Sequence, residues 1–221
     1  AADLAPQLGL NFRATPNHTV RLNLSKALRT PTLIENQSAF NVGPPGTPRE
    51  GPAGELLPES ILSRELSYVG QWPAQHLTLD VKLFDDDIQD LIALVGLREN
   101  AASGAFPRNA VNGDDARQRG IEAQLQWRPD TDTLLLASAS YLDTDSDDRL
   151  DRYSSAAPSN IAQVLVSRRF AGTWDASASV HLQGSYWASG LSDPQDGYTR
   201  VDTRLARQLA MGRGNAEVAL T

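Results

Sequence analysis

The densest run of potential ligand oxygens in the chain is Asp143-Thr144-Asp145-Ser146-Asp147-Asp148, followed by Asp151. A calcium loop begins this way, with oxygens at positions 1, 3 and 5. The glycine that such a loop needs at position 6 is here Asp148, and the bidentate glutamate due at position 12 is Ser154. An EF-hand is therefore excluded. A looser calcium site in the acidic loop over 143–151 and a plain solvated loop both stay open. Asp85-Asp86-Asp87 has no histidine close by in sequence and reads as a polar strand end. His18, His76 and His181 are scattered. His18 and His76 each open a strand beside a tight turn, a solvent-facing position, and His181 alternates with Ser179 and Gln183 on a polar face. HExxH, GxSxG and P-loop patterns are absent. No catalytic, cofactor-binding or metal residue is assigned, and an enzyme is not expected. Asn17-His18-Thr19 spells a glycosylation sequon.

Bulk properties narrow the class without fixing it. The 221 residues include no cysteine, which removes disulfides and thiolate chemistry together. A formal charge of −7 argues against nucleic acid as a partner. Hydrophobic residues make up 40% of the chain. A soluble protein gives that share, and so does a barrel in which alternate residues face lipid. The longest apolar run, Leu91 to Leu97, is far short of the roughly 20 residues of a membrane-spanning helix. The chain opens on Ala1-Ala2-Asp3 with no initiator methionine and no secretion signal, the expected look of a piece of something longer.

The elements are set by a rhythm of two. Val20, Leu22 and Leu24 alternate with Arg21, Asn23 and Ser25; Leu77, Leu79, Val81 and Leu83 alternate with Thr78, Asp80 and Lys82. Ile121, Ala123, Leu125 and Trp127 alternate with Glu122, Gln124 and Gln126. This period means strands with one apolar face. About ten strands follow from it. They run from Gln7 to Ala14, His18 to Ala27, Ile61 to Gln71 and His76 to Leu94, the last with a kink near Asp85. Further strands run from Arg117 to Arg128, Thr133 to Asp143, Asn160 to Phe170, Trp174 to Trp187 and Tyr198 to Ala210, with a final one from Asn215.

Connectors alternate between tight and long. Long ones cover Thr30–Pro58, Val95–Ala116, Thr144–Pro158 and Ala188–Gly197. Trp72, Trp127, Phe170 and Trp174 flank tight turns, as an interfacial girdle requires. Strands of this length, tight turns at one end and long loops at the other make an all-β, antiparallel, up-and-down transmembrane β-barrel. Two alternatives stand beside it: a soluble β-rich module binding glycan or protein through its loops, and a hydrolase built on a barrel. The second needs a Ser/His pair in register, and none is identifiable.

Several phrases also resemble one family. Arg29-Thr30-Pro31-Thr32-Leu33-Ile34-Glu35 resembles the segment of TonB-dependent outer-membrane receptors where an outward strand enters an extracellular loop. Leu57-Pro58-Glu59-Ser60-Ile61 with Glu65-Leu66-Ser67-Tyr68 is similar to the family's next strand, and Leu83-Phe84 through Asp90-Leu91-Ile92 to the one after. Asn112-Gly113 through Arg119-Gly120-Ile121-Glu122, then Ala157-Pro158-Ser159-Asn160, then Tyr198-Thr199-Arg200-Val201-Asp202 continue in the family's order.

The resemblance implies that residues 1–221 are the C-terminal portion of a roughly 22-stranded barrel, a fragment without its plug domain, TonB box or closing strand. The whole receptor is then expected in the bacterial outer membrane, importing a scarce ligand such as a ferric siderophore. Its implied partners are outer-membrane lipid, the plug domain of the same receptor, and the TonB–ExbB–ExbD complex that energises transport. No cofactor is implied. Arg13, Arg21, Asn23, Glu65, Lys82, Glu122, Gln124, Asp202 and Arg204 would line the lumen, some against the plug and the rest against water. Ligand contact is expected at the tips of the four long loops, which are also polar and turn-rich as any solvated loop would be.

Overall fold

The computed structural model describes residues 4–37, 40–42, 56–96, 106–146, 154–188, 193–212 and 214–221. Its strands are β1 (Gln7–Thr15), β2 (His18–Arg29), β3 (Phe40–Val42), β4 (Glu59–Trp72), β5 (Leu77–Gly96), β6 (Phe106–Trp127) and β7 (Thr133–Ser146). They continue as β8 (Asn160–Phe170), β9 (Trp174–Gln183), β10 (Tyr186–Ala188), β11 (Asp193–Gln195), β12 (Tyr198–Met211) and β13 (Gly214–Leu220). One short helix, α1 (Leu33–Gln37), follows β2.

The main sheet runs β1-β2-β4-β5-β6-β7-β8-β9-β12-β13, each strand antiparallel to the next, with β3 added beside β6. Strands β10 and β11 form a separate two-stranded sheet. Every tight turn lies at one end of the main sheet and every long connection at the other.

The tight turns follow local chemistry. After β4, Pro73 starts a 3-10 turn that ends with His76 in the left-handed region at φ 50°. After β6, the Asp130 carboxylate accepts the Asp132 N–H at 2.9 Å and the Thr133 hydroxyl at 3.1 Å, an Asx-type turn. After β8, Ala171 and Gly172 take φ 50° and 69° in succession.

The register sorts side chains by face. Leu22, Leu66, Leu83, Ile121 and Tyr141 stand opposite one another in sequence across five strands. Their face continues through Val164, Val180 and Val201. On the other face Arg21, Ser67, Lys82, Glu122 and Ser140 make the matching row. The hollows of the sheet are lined mainly from this polar side, which is the inward one.

Almost nothing is buried. Among the described residues only Ser67, Gly70, Ala110, Ala116 and Ala206 are buried, while Phe12 is 64% and Val201 62% exposed. A single-layer sheet has no core of its own. No second sheet covers the apolar face among the described residues.

Five expectations are corrected. Residues 106–116 are not connector: β6 begins at Phe106 and zips with β5 out to Gly96. Asn112-Gly113 lies in β6 beside a bulge in β5. That bulge falls between Ile88 and Ile92, with Asp90 at φ 58°, so the kink is beyond Asp85. Strand β9 stops at Gln183, because Gly184-Ser185 leave the ladder before Tyr186 joins the small sheet. The 30–58 connector is not all loop, since it holds α1 and β3. His18 is not a free solvent-facing group: its Nδ1 is 2.8 Å from the Tyr68 hydroxyl, and Trp72 meets its ring edge-on.

Candidate functional site

All nine residues expected to line a lumen fall on the polar, inward face. Arg13, Arg21 and Asn23 sit on β1 and β2, Glu65 on β4, Lys82 on β5, Glu122 and Gln124 on β6, Asp202 and Arg204 on β12. The structure joins several of them. Asn23 donates to Glu65 at 3.2 Å, and Lys82 pairs with Glu122 at 2.7 Å. Asp202 receives Arg200 at 2.9 Å, and Arg204 pairs with Glu217.

A hollow of about 300 Å³ is lined by Arg21, Glu65, Ser67, Lys82, Glu122 and Gln124 among others. Its groups carry both signs and offer donors and acceptors in one place. Next to it, Leu136 and Leu165 stand opposite each other on the same inward face beside Gln126 and Gln163. Asp86, also inward, keeps one carboxylate oxygen buried with no hydrogen-bond partner among the described residues. A face like this can hold a polar protein surface or hydrated solutes. Among the described residues it brings together no hydrogen-bonded Ser, His and Asp triad.

A second cluster sits at the long-loop end, and sequence reasoning saw its motif without its geometry. Arg29, the last residue of β2, donates to Glu59 through Nε at 2.5 Å and a terminal nitrogen at 2.6 Å. Its other terminal nitrogen reaches Glu35 at 3.0 Å. Glu35 in turn accepts the Thr32 N–H at 2.7 Å, while the Thr32 hydroxyl accepts the Glu35 N–H at 3.2 Å. This is a reciprocal capping box at the start of α1, which explains why Thr32 and Glu35 are three residues apart.

Glu59 also accepts the Ile92 N–H at 2.8 Å, where the β5 bulge frees that donor from the ladder. The Asn112 amide donates to the Asp90 and Leu57 carbonyls, and its oxygen accepts the Leu57 N–H at 2.7 Å. The clasp therefore ties together β2, α1, β4, β5 and β6 where they enter their loops.

Its electrostatics are cooperative. The Thr32 amide, with Arg29 behind it, holds Glu35 below the usual carboxylate range. The Arg29 guanidinium holds Glu59 down, aided by Ile92. Both carboxylates raise Arg29 further.

On the outward face, charge begins directly beyond the apolar band. Leu66, Leu83 and Ile121 give way one rung later to Arg64, Asp85 and Arg119. Arg117 grips Asp85 through two bonds at 2.9 and 2.6 Å, and Arg119 reaches Asp143 at 3.4 Å. Asp85 and Asp143 are thus committed to arginines. No group of three or more His, Asp or Glu suited to a metal is found among the described residues. Asp147, Asp148 and Asp151 of the acidic loop lie outside the described residues. At the tight-turn end the outward face carries Trp72, Trp127, Phe170 and Trp174, the last two rings parallel at 6.5 Å.

A β-barrel with an apolar outer band, polar interior and aromatic rim is the arrangement of an outer-membrane protein. The family model for the TonB dependent receptor-like β-barrel matches residues 2–216. The chain belongs to that family. TonB-dependent receptor barrels are outer-membrane transport receptors, not enzymes.

Among solved structures, the siderophore receptor PirA of Acinetobacter baumannii matches with a TM-score of 0.68 at 15% identity. That alignment covers 93% of this chain and 35% of the receptor. The ferric enterobactin receptor PfeA of Pseudomonas aeruginosa, in a mutant form, gives 0.69 at 14% identity, over 97% and 34%. The copper transporter OprC gives 0.68 at 17% identity, over 93% and 31%. At such identities the likeness is one of fold. The chain spans about a third of the length of these receptors. No curated protein matches by sequence.

Proposed function

We propose that this chain is the C-terminal part of the barrel of an outer-membrane active-transport receptor. The observation that carries the reading is the sheet without a core. Its large apolar side chains are exposed along one face, and its charged and amide side chains occupy the other. An apolar face on that scale is stable only against lipid, and a polar face with open hollows suits a water-filled or plugged interior. The outer edges of β1 and β13 have no strand beside them among the described residues. Remaining strands of a 22-stranded barrel would pair with both, since lipid does not tolerate open edges.

In this reading the inward ladder from Arg21 to Gln124 faces the plug, whose polar surface supplies the donor that Asp86 lacks. The four long connections form part of the outer vestibule, and the Arg29 clasp fixes the base of two of them. The imported ligand is a scarce metal chelate, with a ferric siderophore the leading class because PirA and PfeA, two of the structural neighbours, are named for siderophores. Energy comes from the TonB complex.

The test is uptake. A strain deleted for the whole receptor gene is offered a panel of iron-labelled siderophores under iron starvation. Loss of uptake of one class, restored by the gene and abolished by an uncoupler of the proton gradient, is expected. Unchanged uptake of the whole panel, with no binding by the purified receptor, would overturn the ligand assignment.

A further inference from the structure

The outward wall at the tight-turn end is not chemically uniform. On β1 to β7 the outward positions nearest that end are Phe12, His18, Trp72, Leu77, Trp127 and Thr133. On β8 and β12 they include two arginines. Arg168 stands opposite Thr133 and Ala176, and Arg207 opposite Trp174 and Val218. Both therefore share the lipid-facing side with Trp174.

The register places Arg168 and Arg207 on the two strands that flank Trp174. The Arg207 guanidinium lies over the Trp174 ring, 5.2 Å from its centre. Successive tight turns fall further along the ladder, with Phe170 beyond Arg168 and Met211 beyond Arg207. The strands consequently lean, and the diagonal Arg168–Trp174–Arg207 runs along the rim rather than across the membrane.

Neither arginine has a carboxylate within ion-pair distance among the described residues. Asp130 feels Arg168 but spends its oxygens on its own turn. The arginines on the inward side of the same strands are, by contrast, paired: Arg169 with Asp175 and Arg200 with Asp202. Towards the membrane interior the same outward face carries exposed Val166, Val180, Val201 and Leu205.

We infer that Arg168 and Arg207, on either side of Trp174, bind the phosphate of an anionic glycerophospholipid in the leaflet at the tight-turn side. Guanidinium groups match phosphate geometry with paired donors. A tryptophan at headgroup level shields one of them from water. The acyl chains lie over the valine and leucine strip. The inference rests on the apolar face meeting lipid, and the experiment separates the two.

The intact receptor, purified in detergent, is loaded with phosphatidylglycerol or with phosphatidylcholine. Retained lipid is then counted by native mass spectrometry. Wild type is expected to keep phosphatidylglycerol preferentially. Arg168→Gln with Arg207→Gln should weaken that retention by roughly fivefold per arginine. Arg169→Gln with Arg200→Gln, on the same strands but facing inward, should leave it unchanged. If the double variant does not assemble, Arg207→Gln alone carries the comparison. Equal retention of both lipids by wild type, full retention by the outward variants, or an equal loss in the inward pair each overturns the site. A receptor that stays in solution without detergent and keeps neither lipid would instead overturn the membrane reading itself.

Discussion

Arg29 and Glu59 close the outer end of the β2–β4 ladder as a directly facing pair, joined by two parallel hydrogen bonds. Fork-to-fork pairing of this kind fixes orientation as well as distance. Because Glu59 also holds Ile92 and Arg29 also holds Glu35, the pair links two loop bases. Arg29→Ala should therefore loosen α1 and the β5 bulge together. The side chain is half exposed, so the stability loss should be modest, about 1 kcal/mol. The larger effect should be local: faster protease cleavage within 30–58 in the assembled receptor. Cleavage at the wild-type rate would show that the clasp does not hold the loop.

The same clasp predicts an acid-sensitive loop. Glu35 and Glu59 both have depressed folded-state pKa values. Such groups stabilise the fold fully above their unfolded value, roughly 4.3, and the stabilisation fades as pH falls through the folded value. Hydrogen exchange of the Thr32, Glu35 and Ile92 amides should thus rise on acidification below about pH 4, after correction for intrinsic rates. In Arg29→Ala that rise should shift to higher pH, because the guanidinium that depresses Glu59 is gone. An identical profile in both proteins would remove the arginine from the mechanism.

Face assignment has a sharper test in adjacent residues. Leu79 stands opposite Gly70 and Leu125 on the outward side, and Thr78 stands opposite Gln71 and Gln126 on the inward side. Leu79→Arg should cost about 2–4 kcal/mol if the residue sits near the bilayer midplane, less towards the interface. Thr78→Arg should be nearly neutral. Denaturant unfolding of the receptor from lipid vesicles reads both. A reversed order would turn the sheet inside out.

The period-two pattern made the sheet legible because among the described residues neither face of the sheet is packed into a core. Alternation was not blurred by a core, so Leu77 to Leu83 and Ile121 to Trp127 announced their faces directly. Where the strands rise above the membrane that signal vanishes. Residues 106–116 carry Pro107, Asn109, Asn112 and Gly113 and look like loop, yet backbone pairing with β5 holds them in strand. The clasp was half legible: the Arg29 to Glu35 phrase was visible, but Glu59 is 30 residues away and its partnership follows only from register. The two arginines of the outward rim were missed for the same reason. Arg168 and Arg207 become neighbours only through β9, and no local motif marks them.

Gly120 offers a test of close packing on the inward face. It stands between Phe84 and Leu142, and a Cβ there would collide with the Tyr141 carbonyl oxygen and come within 2.5 Å of the Phe84 ring. The ring can swing away, but the carbonyl belongs to the neighbouring strand. Gly120→Ala must then push β6 and β7 apart or displace Phe84 into the lumen. Overpacking of this kind costs typically about 1–3 kcal/mol. Gly113→Ala is the control, because nothing lies within 4 Å of a Cβ at that position. Thermal unfolding of the two receptors in detergent should show Gly120→Ala melting clearly lower and Gly113→Ala melting with wild type. If Phe84→Ala in the same chain restores part of the loss, the ring is the obstacle. If it restores nothing, the strand backbone is, and the β6–β7 register at Tyr141 is what only glycine permits.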